Sequence, residues 1–249
     1  MYFRRNKSVQ PSKIFMTEWK TEIASSGQEA KIRGEKLETV MDMEFADAIW
    51  LLLTGEEPGP EESDMFNTVL SSSIDHGVGN PSTVSARTVQ SGGNDMNTSV
   101  AAGVLALGDK HGGAIEEGMK ILHSDKTAEQ IVNDYLENGE KIPGLGHKVY
   151  EEKDPRAEKM FEKAEELGLS GEYIEKMKGI QEVFAEKKVP LVINVDGAIS
   201  GVMSDLGWDY RLGKGLFIIA RTPGLVAHVR EEMDEKDFRR EDGEYIGEE

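Results

Sequence analysis

Two histidines stand in glycine-rich loops, His147 in PGLGH and His111 in GDKHGGA. Glycines let a backbone approach a ligand closely, and an imidazole changes charge near neutral pH, so either ring could donate or accept a proton on a bound molecule. His111 lies between a helix-ending glycine and the start of the next helix. The dipole there would hold the ring neutral, suited to donating a hydrogen bond to a developing enolate. A solvated or simply hydrogen-bonded histidine is the plainer account of His147. Nine residues after His147, Arg156 follows Asp154 and Pro155, a good N-cap and a good first helical residue. The dipole disfavours a cation in a first turn. The placement makes sense if the guanidinium and the helix N-terminus converge on one anion, gripped bidentately; an ordinary surface arginine is the alternative.

Asp196, in VINVDGAISG, interrupts an apolar run. A desolvated carboxylate has a raised pKa, which suits a base that removes a carbon-bound proton; a capping aspartate is the other reading. In ARTPG, Arg221 directly precedes Thr222 and Pro223, read as the cap and first residue of another helix. Two arginines aimed past helix starts imply a substrate with more than one carboxylate. His76, in SSSIDHG, ends a helix before a glycine, where a C-terminal cap interaction is the bland account. His123 and His228 fall within helical patterns and receive no role. Phosphate-cradling, dinucleotide and nucleophile-elbow motifs are missing, and the histidines lack metal-site spacing. The remaining set fits acid/base chemistry on a small polycarboxylate.

The elements that must position these groups are mostly helices. MEFADAIWLLLT carries apolar residues at helical spacing, breaks at Gly55 to Pro60, and resumes with Ser63 or Asp64 as N-cap. A small-residue helix from about Thr98 stops at Gly108, and another follows Gly113. PRAEKMFEKAEELG and GEYIEKMKGIQEVFAEK are amphipathic helices with acidic starts. VPLVINVDGAISGVM fits a buried strand or a buried helix equally well. The last segment reads as helix, Thr-Pro-Gly break, helix and acidic tail.

The 249 residues suffice for one domain or two closely associated ones. A formal charge of -18 argues against a nucleic-acid partner. Nonetheless Arg211, Arg221, Arg230, Arg239 and Arg240 cluster late in the chain, as a local anion site would require. With no cysteine there are no disulfides or thiol nucleophiles. No apolar run reaches membrane-helix length and the start lacks a secretory pattern, so a cytoplasmic location is expected.

PGLGHKVYEEKDPRA, NVDGAISG and ARTPGLVAH, with GDKHGGA and DHG, resemble in order and spacing the signature blocks of the citrate synthase superfamily, which includes citrate synthases, methylcitrate synthases and citryl-CoA lyases. The likeness runs from about residue 28 to 249. It implies an all-α fold, with a large domain of residues 1–111 and 210–249 and a smaller mobile domain of residues 112–209. It also implies a homodimer or homotetramer, and a helix around Asp196. By the same resemblance Asp196 moves a proton at the acetyl-CoA methyl, His111 stabilises the enol, and His147 meets the oxaloacetate carbonyl or takes the citryl hydroxyl proton. His76, Arg156 and Arg221 match oxaloacetate ligands. Arg240, with Arg239 as competitor, reaches the partner subunit's site. Leu145, Gly146 and Lys148 lie near coenzyme A, which enters as part of the substrate; neither a metal nor a tightly bound cofactor is implied.

Chain size, DHG and AGVLALGDKHGGA look like a stand-alone citryl-CoA lyase or the C-terminal module of ATP-citrate lyase, although animal lyase modules carry phenylalanine where His111 stands. The expected activity is cleavage of citryl-CoA to acetyl-CoA and oxaloacetate, with a separate citryl-CoA ligase as supplier. Condensation to citrate by a synthase, or a non-catalytic regulatory paralogue, are the alternatives.

Overall fold

Helical periodicity dominates the sequence, and the computed structural model, which describes residues 20–239 and 243–247, is correspondingly all-α: eleven α-helices and a small three-stranded sheet among the described residues. The chain divides into two compact units, residues 1–57 and 58–249.

In the first unit, β1 (Ala24–Ser25), β2 (Lys31–Ile32) and β3 (Glu35–Lys36) form an antiparallel sheet that the helical reading did not foresee. Ile32 pairs with Glu35 across a two-residue turn in which Arg33 and Gly34 both have positive φ, 52° and 94°, the turn that matches strand twist. The Arg33 side chain donates to the Leu52 carbonyl at 2.9 Å. That carbonyl belongs to α2 (Phe45–Thr54), which follows the short α1 (Leu37–Met41) and stops at Gly55 in the left-handed conformation.

The second unit contains α3 (Pro60–Ser72), α4 (Pro81–Ser91), α5 (Met96–Leu105), α6 (Ala114–Leu122), α7 (Ala128–Asn138), α8 (Pro155–Glu166), α9 (Glu172–Glu186), α10 (Val195–Asp205) and α11 (Gly213–Glu232). Helix α3 begins a turn earlier than the Ser63 or Asp64 cap predicts. Pro60 takes the first position and Glu62 reaches back to accept from the Gly59 N–H at 2.7 Å. Helix α5 ends at Leu105, and Gly108 instead opens the turn that carries His111. The ambiguous VPLVINVDG run forms no strand: it carries one isolated bridge, Ile193 to Leu145, and then enters a helix, with Asn194 capping α10.

The Thr222-Pro223-Gly224 break is absent; α11 runs through it. Pro223 leaves one carbonyl without its helical donor, and the Thr222 hydroxyl donates instead to the neighbouring Ile218 carbonyl at 2.6 Å. Arg221 is therefore an interior helical residue, and the expectation that it precedes a helix start is corrected.

Helix α10 is buried on nearly every side and packs on α6, α8 and α9, whereas α11 packs on α3, α4, α5 and α6. The Ser200 hydroxyl ties the two groups of contacts to the site, lying within donating distance of the Asp196 carbonyl (2.7 Å) and of the Ile115 carbonyl on α6 (3.1 Å). Ile199 and Met203 are fully buried; truncating either to alanine costs about 2–5 kcal/mol.

Candidate active site

A cleft of about 220 Å³ in the second unit collects His76, His111, His147, Arg156, Asp196 and Arg221. Residues from as far apart as the end of α3 and the middle of α11 thus share one small volume. Leu145 and Gly146 belong to the loop that delivers His147, and Lys148 is exposed beyond it; none of the three lines this cleft. Arg240 lies outside the described residues.

His111 is held from α4. Ser82, the second residue of that helix, points its backbone N–H at the ring Nε2 (3.3 Å), and its hydroxyl lies 2.9 Å from the same nitrogen. The hydroxyl also lies 2.7 Å from Oδ1 of Asn80, the α4 cap. A backbone N–H can only donate, so Nε2 is the unprotonated nitrogen and the ring proton sits on Nδ1. Burial, then the charges of Arg221 and His76, push the ring's pKa down and keep it neutral. The sequence reading pointed to the helix after His111; the helix start that the ring touches lies 29 residues earlier, at Ser82. Phe217 stands edge-on to the ring at 6.2 Å and lies beneath the Arg221 guanidinium at 4.7 Å, spacing the two groups.

His147 is held by its own loop. The Val149 and Tyr150 N–H groups donate to its Nδ1 at 3.1 and 3.2 Å, so the neutral ring carries its proton on Nε2. Arg156 Nη2 is 3.3 Å from that Nε2. In this tautomer both nitrogens present a donor, and an oxygen placed against them would accept from both.

Arg156 answers the puzzle of a cation in a first turn. Its Nε and Nη2 donate to the fully buried Asp154 carboxylate at 3.0 and 2.7 Å, and that same carboxylate caps the helix by accepting the Arg156 N–H at 3.0 Å. Burial raises the Asp154 pKa, but the hydrogen bonds and charge of Arg156 outweigh it and the net shift is downward. The bond to Asp154, offset by burial, raises Arg156 in turn. The carboxylate fixes one edge of the guanidinium.

Asp196 is the second residue of α10. Desolvation pushes its carboxyl above the ordinary range, while the guanidinium groups of Arg156 and Arg221 pull the other way and Asp154 adds to the rise. Its backbone placement comes from Asn194, which joins α10 to the PGLGH loop. Gly144 and Gly197 are in backbone contact there: a Cβ on Gly197 would lie 2.3 Å from the Gly144 carbonyl oxygen, so no larger residue fits.

His76 lies beyond the end of α3 in a turn, so it makes no helix cap. Burial, followed by the charges of Arg156, Arg221 and His147, lowers its pKa. The ARTPGLVAH stretch cradles this turn. Arg221 Nε donates to the Ser73 carbonyl at 3.0 Å, Gly224 lets α11 pass against the Ile74 carbonyl, and His228 Nε2 lies 3.0 Å from Asp75 Oδ2. Arg221 is buried, and its Nη1 has no partner among the described residues, which marks a place for an anion.

Sequence reasoning passed over Ser82, Asn194 and His228. The first two left a faint signal, the cap patterns Asn-Pro-Ser and Asn-x-Asp; His228 left none beyond its helical spacing. Arg239, the competitor of Arg240, donates to buried Glu232, which also pairs with Arg87. Among the described residues no helix is long and apolar enough to cross a membrane, and no cluster of histidine and acidic residues could hold a metal.

Compared with known protein families, residues 13–241 match the family described as "Citrate synthase, C-terminal domain". "Citrate synthase 2" of Bacillus subtilis is 36% identical over 221 residues, which are 86% of this chain and 59% of that one. "Citrate synthase" of Haloferax volcanii is 34% identical over 79% of this chain and 54% of that one. The chain thus spans little more than half the length of these relatives. Among solved structures, citryl-CoA lyase from Hydrogenobacter thermophilus superposes with a TM-score of 0.88 at 44% identity, covering 93% of this chain and 95% of that one. ATP citrate lyase from Methanothrix soehngenii, solved with citrate and coenzyme A, gives 0.82 at 25% identity over 94% of this chain and 42% of that one. With nearly the whole chain matched and the cleft assembled from the blocks that define the likeness, the chain belongs to the citrate synthase family.

Proposed function

We propose that the chain is a citryl-CoA lyase, cleaving citryl-CoA into acetyl-CoA and oxaloacetate. The observation that carries this reading over its sibling is the 44% identity and 0.88 TM-score with a citryl-CoA lyase, against 36% identity for the Bacillus subtilis synthase. In this reading Arg221, through its unpartnered Nη1, and Arg156, with His76, bind the carboxylates. The hydroxyl oxygen rests between His147 Nε2–H and Arg156 Nη2, whose donation acidifies it. As the carbon–carbon bond breaks, the hydroxyl proton leaves to water and the carbonyl of oxaloacetate forms. The bonding pair moves into the thioester enolate, where His111 Nδ1–H meets the oxygen. Asp196, whose carboxyl pKa desolvation raises, delivers a proton to carbon to complete the methyl group.

Leu145, Gly146 and Lys148 lie along the path of coenzyme A in this proposal, and residues 112–209 close over the substrate. The packing of α10 on α6, α8 and α9 supports grouping those helices as one body. The chain acts as a homo-oligomer in which Arg240 completes a neighbouring site; the commitment of Arg239 to Glu232 favours Arg240 for that role.

A synthase reading, the same steps reversed and followed by thioester hydrolysis, is favoured by the names of the curated relatives. Purified protein given citryl-CoA in one vessel, and acetyl-CoA with oxaloacetate in another, separates the two. Oxaloacetate release without free coenzyme A supports the lyase, free coenzyme A from the second vessel supports the synthase, and silence in both overturns either enzyme in favour of a regulatory paralogue.

A further inference from the structure

An N-cap needs only an acceptor, which serine, threonine or aspartate supplies as well as asparagine. Asn194 does more. Its Oδ1 accepts from the N–H groups of Asp196 (3.0 Å) and Gly197 (3.2 Å), while its Nδ2 donates to the Gly146 carbonyl at 2.9 Å and its own N–H donates to the Gly144 carbonyl at 3.0 Å. Gly146 immediately precedes His147. A single side chain therefore grips the backbone at Asp196 with one end and the backbone beside His147 with the other. Around it the two segments are zipped by the Leu145–Ile193 bridge, by the Gly146 N–H donating to the Val192 carbonyl at 2.7 Å, and by the Gly144–Gly197 contact.

Cleavage of a carbon–carbon bond makes demands at two places at once. An oxygen must be held on one side of the bond while a proton is delivered on the other, so the separation of the two groups matters as much as the identity of either. We propose that Asn194 is a positioning residue that sets the distance between Asp196 and the oxygen-binding pair His147 and Arg156, its Nδ2 bond to Gly146 being the part that acts on the reaction. This rests on the proposed roles of Asp196 and His147.

The test uses Asn194→Asp and Asn194→Ser, which keep an acceptor for the cap and lose the Nδ2 donor; two variants guard against one failing to fold. Two rates are measured for each. One is oxaloacetate release from citryl-CoA. The other is entry of deuterium from D2O into the methyl group of acetyl-CoA with malate bound, whose hydroxyl stands where oxaloacetate has its carbonyl, so no carbon–carbon bond can form. Exchange needs proton transfer at carbon alone, whereas cleavage needs both sides of the bond. Cleavage is expected to fall about 100-fold in kcat, the cost of a misplacement near 1 Å, and the ratio of cleavage to exchange to fall at least about tenfold. If both rates fall in proportion, or neither falls, Asn194 is a structural cap and the proposal is overturned. Silence of the wild-type protein in both assays overturns the function reading, and this inference with it.

Discussion

The loops that carry His111 and His147 look alike in sequence, a glycine turn ending in histidine, yet they hold their rings in opposite states. In the first, Nε2 receives the Ser82 N–H and the free proton is on Nδ1; in the second, Nδ1 receives the Val149 and Tyr150 N–H groups and the free proton is on Nε2. Both solutions use backbone donors, which cannot reverse their role, and so each neutral ring is fixed in one tautomer. The difference lies in range. One tautomer is set two and three residues downstream, the other 29 residues away through the start of α4. A ring fixed by its own loop keeps its orientation wherever that loop goes, while a ring fixed by a distant helix is oriented only when the fold is complete.

The largest effects come from removing either ring, and they should differ in kind. His111→Ala is expected to lower citryl-CoA cleavage about 1000-fold and deuterium exchange into acetyl-CoA by a similar factor, since the enolate loses its donor in both reactions. His147→Ala should lower cleavage to a like extent but exchange far less, because no oxygen changes character during exchange. Equal losses in both assays for both variants would erase the distinction drawn between the rings. Asp196→Asn should abolish both reactions by a factor on the order of 10² to 10⁴ while making the protein more stable at pH 7. The sign follows from the raised carboxyl: the folded state holds its proton more tightly than the unfolded chain, so stability present below the ordinary carboxylate pKa is lost as pH rises through the folded value. Asparagine removes that loss. Melting temperatures compared at pH 7 and pH 4 should show a gain that closes at the acid end.

The same contrast of range explains what could be read from the sequence. Helix existence was legible because apolar spacing and caps are local, and Asp154 with Pro155 fixed the start of α8 as expected. The six cleft residues were legible as residue types in unusual settings, with ordered motifs behind them. The two short bonds from Val149 and Tyr150 are local but leave no mark in residue type, because any residue other than proline supplies a backbone N–H. Ser82 and Asn194 act through partners 29 and 48 residues away, where periodicity says nothing. The Thr-Pro-Gly stretch misled because a proline at an internal position usually breaks a helix; here the Thr222 hydroxyl adds a bond beside the gap, and tight packing of Gly224 on the turn before His76 holds α11 in place.

Acidification should act on His111 and His76 together. Both pKa values are depressed by burial, so in each case the unfolded chain binds a proton before the folded protein does. Their contribution to stability is then complete above about 6.5, the ordinary histidine value, and is lost as pH falls from there through the depressed folded values. Activity should persist below that value, until the depressed pKa of His111 is reached, and the acid limb of the kcat profile should disappear from exchange measurements only if His111 plays no part in them.

Ser82 offers the smallest and most discriminating change. Ser82→Ala removes the hydroxyl that lies 2.9 Å from His111 Nε2 but keeps the backbone N–H at 3.3 Å, so the donor that sets the tautomer survives. A neutral hydrogen bond contributes about 0.5–1.5 kcal/mol net, which corresponds to a loss of activity of roughly 2- to 13-fold, far below that of His111→Ala. Two-bond proton–nitrogen spectra of the imidazoles at pH 7.5 should still report Nδ1–H for His111 and Nε2–H for His147 in this variant. A switch of His111 to the Nε2–H form would mean that the hydroxyl, rather than the helix N-terminus, governs the ring, and the two histidine loops would then differ in which side chain happens to lie nearby rather than in how far the backbone reaches.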